Sequence, residues 1–232
     1  MINTYKERYV NNELFQAISW PQYINTCHLT SLTAIFNYFY SRSIGIRTVE
    51  EIEKKLKLGG FNKLADKSDI GNQTLIKWFC ELCCTYECKP PKISIYSKEQ
   101  FDEFKNNETI FGELKKHLHS LDAAIVYHMD NHYNVVLGYA ECAREPSTSY
   151  SSNTKIDRWI ILGDHSTYVD TYIKRALDNA KMDLKNSDID KVEFDIFEDI
   201  VMPSPIWVRR WGSIRVDVKE NKNHCLILFE KG

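Results

Sequence analysis

The sequence predicts an α+β protein, with helices gathered in its first half and antiparallel strands in its second. Two observations carry this. Up to about residue 120 the apolar residues recur at helical spacing, whereas from Ala123 onward they form short runs bounded by turn residues. A chain of 232 residues with 43% apolar and 27% charged side chains can bury a full core as one domain. We read residues 1–232 as that single domain, mainly helical over 1–120 and β-rich over 121–232, with an insertion at about 168–205.

Residues 1–24 lack clear periodicity, and Pro21 favours an extended or turn conformation just before the first helix. That helix is the organising one. In Cys27–Tyr40 the residues Leu29, Leu32, Phe36 and Phe39 mark one apolar face, and Ala34, Ile35 and Tyr38 widen it until little polar surface is left. Such a helix is central and buried. Thr48 followed by Glu51 is a capping box for a second helix, striped by Val49, Ile52 and Leu56 and stopped by Gly59-Gly60. A third helix, capped by Asn72 or Thr74, runs from about Leu75 to Cys88 and ends before Pro90-Pro91. Lys92–Tyr96 alternates like a strand. Two more helices follow, from Ser97 or Lys98 to Lys105 and from Thr109 to His119.

From there the period changes. Ala123–Met129 and His132–Tyr139 read as strands joined by the turn Asp130-Asn131, and Arg158–Gly163 returns as a third after a loop over 143–155. Tyr168–Met182 has a helical pattern, and 183–205 is charged and weakly periodic. Ile206–Val216 and Cys225–Phe229 close the chain as strands, with a turn at Asn221–Asn223.

Asn25 and Thr26 are both helix-capping residues, which puts Cys27 in the first turn of the central helix. Unsatisfied backbone N–H groups and the positive helix end favour a thiolate there, the nucleophilic form of cysteine. The alternative is a small apolar residue packed at a helix start. His132 opens a strand after a turn, and Asp164 ends the next one. In an antiparallel pair the end of one strand lies beside the start of the other. Asp164 could then orient the His132 ring while its other nitrogen faces Cys27. The plainer roles are a strand-edge histidine bound to backbone and a helix N-cap.

Asn131-His132-Tyr133-Asn134-Val135-Val136-Leu137-Gly138-Tyr139 resembles the histidine strand of papain-like cysteine peptidases, where a His starts an apolar strand ending in Gly-Tyr. Cys27 resembles their nucleophile. Gln22, five positions earlier, is similar to the glutamine that helps form their oxyanion hole. Asp164 matches the third triad member as it stands in the compact bacteriocin-processing, double-glycine-leader branch. The resemblance implies a papain-like fold, with a helical lobe carrying Cys27 and a β-rich lobe carrying His132 and Asp164. It also implies a thiol hydrolase that attacks a peptide, protein, amide or thioester substrate and needs no cofactor. The same triad serves acyltransferases, transglutaminases and deamidases, and a non-catalytic binding protein on such a fold is the rival of another class.

A net charge of −2 gives no basic surface for nucleic acid. No apolar run reaches the ~18 residues of a membrane helix. The polar start Met1–Arg8 is no secretory signal, and of the seven cysteines four crowd into residues 80–88 rather than spreading in pairs, so a cytoplasmic chain with reduced thiols is expected. Cys80, Cys84 and Cys88 fall on one helix face beside Cys83. They read as packed thiols, although His117, His119 or Cys225 could complete a metal site in space. His128 and Asp130 read as surface turn residues. Trp207, Arg209 and Trp211 would share one strand face.

Overall fold

A computed structural model describes residues 5–17, 26–60, 70–97, 107–129, 132–148, 151, 154–163, 206–210 and 225–232. Their centre is a mixed arrangement of helices on an antiparallel sheet. The strands are β1 (Tyr5–Val10), β2 (Lys92–Ser97), β3 (Ala123–Met129), β4 (His132–Ala143), β5 (Ile156–Gly163), β6 (Ile206–Arg210) and β7 (Cys225–Glu230). They lie in the order β2-β7-β3-β4-β5-β6, and β1 pairs with the C-terminal half of β4 beyond the end of β3. The helices are α1 (Asn12–Gln16), α2 (Cys27–Ile44), α3 (Val49–Lys55), α4 (Asn72–Thr85) and α5 (Asn107–His119).

The near-continuous apolar runs of the second half have a simple cause, since the sheet is covered on both faces. Ala124, Val126, Ile227 and Phe229 pack with α2, α3 and α4, on the side of Leu32, Phe36, Ile52 and Phe79. Their strand neighbours Ala123, Ile125, Leu226 and Leu228 pack with Phe111, Leu114 and Leu118 of α5. The two-residue period of a strand sends alternate side chains to the two faces, so both must be apolar. Helix α2 is buried along nearly its whole length, as its composition predicts, and ends where Gly45 takes φ +77°.

One irregularity shapes β4. Val136 pairs with Leu162 and Gly138 with Ile161, so Leu137 is an extra residue in the β4–β5 ladder. The bulge inverts the facing pattern: Leu137 packs on the α2 side and Tyr139, two residues on, packs on the α5 side. Beside the bulge the β1 backbone comes very close. A Cβ on Gly138 would collide with the Tyr9 carbonyl oxygen, with the Tyr9 carbonyl carbon at 2.9 Å and Val10 Cα at 3.0 Å. Only glycine fits there.

Several boundaries differ from the sequence reading. Residues 5–16 hold β1 and α1, where no periodicity is legible. Helix α3 carries the expected capping box, with Thr48 Oγ1 accepting from the Glu51 amide at 3.2 Å. Helix α4 begins at Asn72, capped by Gly71, and ends at Thr85 because Glu87 turns left-handed at φ 53°. Cys88 therefore lies beyond the helix and not in the row of Cys80 and Cys84. His128 is not a surface residue: it is 6% exposed and stacks on Tyr133. The expected helix at 98–105, the turn Asp130-Asn131, the segment 168–205 and the chain from Trp211 to Val216 lie outside the described residues.

Candidate functional site

The first turn of α2 meets the start of β4 through one residue, Tyr133. Its backbone N–H donates to Cys27 Sγ at 3.5 Å, and its carbonyl accepts from Ser31 Oγ at 3.1 Å. Cys27 and Ser31 are one helical turn apart, so a single helix face holds both polar groups of one strand residue. Cys27 is 5% exposed and His132, the residue before Tyr133 on β4, is half-buried.

Burial alone would push the Cys27 thiol above its ordinary value of 9.0. Hydrogen bonds from the His132 and His28 rings, the charge of His132 and the Tyr133 amide outweigh it and bring the pKa down to about 6. The other cysteines with a resolved shift move the opposite way. Burial raises Cys80 and Cys88, and carries Cys83 to about 12 and both Cys142 and Cys225 to about 11.

Around this pair lies a buried polar cluster. His28, 4% exposed, packs against Trp78 and edge-on to Tyr133, and its Nε2 has no hydrogen-bond partner among the described residues. The His128 ring lies parallel to Tyr133 with centroids 4.0 Å apart. The Tyr133 hydroxyl donates to the Ile70 carbonyl at 2.7 Å and sits 3.0 Å from Asn72 Oδ1, while Asn72 Nδ2 donates to Cys225 Sγ at 3.1 Å.

Of the residues singled out from sequence, Cys27 and His132 are brought together. Gln22 and Asp164 lie outside the described residues. The β4–β5 pairing that the sequence argument required does occur, with Gly163 opposite Val135. Sequence reasoning missed His28, Ser31 and Tyr133. The available signal was spacing, since Ser31 follows Cys27 by one turn. Among the described residues no group of three His, Cys, Asp or Glu is placed to hold a metal. His117 instead faces Glu230 at 3.6 Å, and His119 meets the Tyr139 hydroxyl at 2.8 Å. No helix among the described residues is long and apolar enough to cross a membrane.

Fold and site together define an α+β protein with a buried thiol–imidazole junction between a central helix and its sheet. A family model described as basic immunoglobulin-like variable motif-containing protein matches residues 4–202, and the chain belongs to that family. Proteins of that name are similar to it. The one from Xenopus laevis is 26% identical over 226 residues, covering 92% of this chain and 43% of the relative. The human protein is 28% identical over 162 residues, covering 64% and 32%. The one from Giardia intestinalis is 26% identical over 145 residues, covering 57% and 51%. The chain thus spans between about a third and a half of the length of these relatives.

This corrects the papain-like resemblance. Neither the matching family nor these relatives bear the name of a papain-like peptidase, so the hydrolase, protease and acyltransferase readings fall with it. The physical reason is that the motif is generic. A cysteine at the start of an apolar helix and a histidine opening an apolar strand arise wherever a buried helix end is bonded to a sheet.

Proposed function

We propose that the chain is a non-catalytic binding module that takes an acidic segment of a protein partner into the cleft between α1, the end of α2 and the start of α3. In this reading the Cys27–His132 junction is structural and holds α2 on the sheet. The cleft, about 430 Å³, is lined by Glu13, Gln16, Asn37, Tyr38, Arg42 and Arg47 among others.

The observation that carries the reading is Arg47. Its backbone is fixed by Asn37, which accepts from the Arg47 amide and donates to its carbonyl, both at 2.8 Å. Its guanidinium donates to the Ile44 carbonyl, lies 5.0 Å above the Tyr86 ring and has no carboxylate within ion-pair distance among the described residues. A positioned, half-buried and uncompensated guanidinium favours a ligand carboxylate. Arg42 adds a second cation, held at 3.0 Å by Glu13 but 84% exposed, so an incoming carboxylate displaces that contact at little cost. Ile46, 79% exposed at the cleft edge, offers the partner apolar contact.

Fluorescence anisotropy with labelled Glu-rich and Lys-rich decapeptides tests this. The Glu-rich peptide should bind more tightly and weaken with salt. Arg47→Gln should raise its Kd by about 5- to 100-fold, the loss of one charge-assisted pair. Cys27→Ser should leave Kd unchanged. Equal binding of both peptides, or an unaltered Arg47→Gln variant, sinks the proposal.

A further inference from the structure

We propose that Cys27 is a modification site at which hydroperoxides oxidise the sulfur, held by the Tyr133 amide and the His132 and His28 rings, to a sulfenic acid. This goes beyond the binding reading and does not depend on it.

The geometry supplies what the reaction needs. Peroxide oxidation requires the thiolate; the Tyr133 amide donates to this sulfur at 3.5 Å, and the His132 and His28 rings beside it favour its charged form. The Cys27 sulfur attacks the distal oxygen of the hydroperoxide, so an S–O bond forms and the O–O bond breaks. Sulfur is oxidised and the peroxide is reduced. The leaving hydroxide or alkoxide takes a proton from the His132 imidazolium and departs as water or alcohol. His132 is half-buried beside a cysteine that is almost fully buried, a position that suits this proton delivery. Hydrogen peroxide, the smallest hydroperoxide, is the oxidant that suits a sulfur only 5% exposed.

Among the described residues the titratable groups that face the sulfur are His28 on its own helix and His132 on β4. Behind them stand Tyr133, with His128 of β3 stacked on its ring and Cys225 of β7 linked through Asn72. Burial raises Tyr133 and Cys225, so neither gains charge near neutral pH. The pH response of the reaction then follows the ionisation of Cys27.

The test uses the full chain, hydrogen peroxide below stoichiometry and dimedone trapping, read by peptide mass spectrometry between pH 5 and 8.5. Cys27 should be labelled at least about tenfold faster than the exposed Cys84, with a midpoint near the pKa of about 6. His132→Ala should slow labelling about tenfold and move the midpoint upward. Preference for Cys84, or labelling of Cys27 only in denaturant, overturns the proposal. The Cys27-to-Cys84 ratio in the parent chain decides even where His132→Ala fails to fold. Labelling of Cys27 at parental rate in a folded His132→Ala chain overturns the role of His132.

Discussion

At neutral pH the Cys27 sulfur carries charge in a place where burial alone forbids it. Donors overcome desolvation here, and the consequence is a stability that depends on pH. The thiol has a folded pKa of about 6 against an ordinary 9.0. A depressed acid contributes stability in full above its unfolded value and loses it as pH falls through the folded one. The urea midpoint of the parent should therefore exceed that of Cys27→Ala by more at pH 8.5 than at pH 5.5. A gap that stays constant, or widens toward acid, would show that the sulfur is held as a neutral thiol. At this scale the sequence was partly legible. Cys27 and His132 could be paired because each sits at the first position of an element, where backbone groups and solvent access are both special. His28 could not be found that way. It faces inward between Trp78 and Tyr133, and only the helix's placement on the sheet brings it to the sulfur.

Among the elements, strand β4 carries the most consequence, because it serves two partners along one edge. Its first residues pair with β3 and its later ones with β1, and Gly138 lies on the β1 side. Gly138→Ala must push the β1 backbone away, and overpacking of this kind costs roughly 1–3 kcal/mol. The cost should appear in thermal melts, with loss of protection in 5–10 rather than in α2. An unchanged melt would mean that β1 is not docked in solution. Strand β1 itself was hidden in the sequence. Lys6, Glu7 and Arg8 break any apolar alternation, because this edge strand is held by its backbone and by charges more than by burial. Glu7 and Glu141 both pair with Lys115 of α5, and Glu141 also with Arg158 of β5. By contrast α2, the capping box of α3 and the strands β3 and β7 were legible from apolar periodicity. Their side chains are what the two cores are made of.

For the whole molecule, a sheet covered on both faces puts its most secure hydrogen bonds in the middle. Strand β3 is paired with β4 on one side and β7 on the other, and β7 lies between β3 and β2. Amide exchange in β3 and β7 should require near-global opening. The β2 amides that do not face β7 should exchange at least tenfold faster by local fraying. Uniform exchange across these strands would contradict the two-faced arrangement. The family could not be reached from patterns of this kind. Periodicity reports which side chains are buried, and many unrelated chains bury a helix against a sheet.

Leu137 has one more consequence. Because it counts once in β4 and not at all in β5, it acts as a phase shift in the strand's inside–outside code. Upstream of it, odd positions such as Tyr133 and Val135 look toward α2; downstream, odd Tyr139 looks toward α5. The thiol–imidazole junction and the Glu7–Lys115 charge cluster are therefore read from one strand in two different frames. Removing this single residue would bring the frames into step and turn one of the two clusters out of its face, leaving the strand's composition almost untouched.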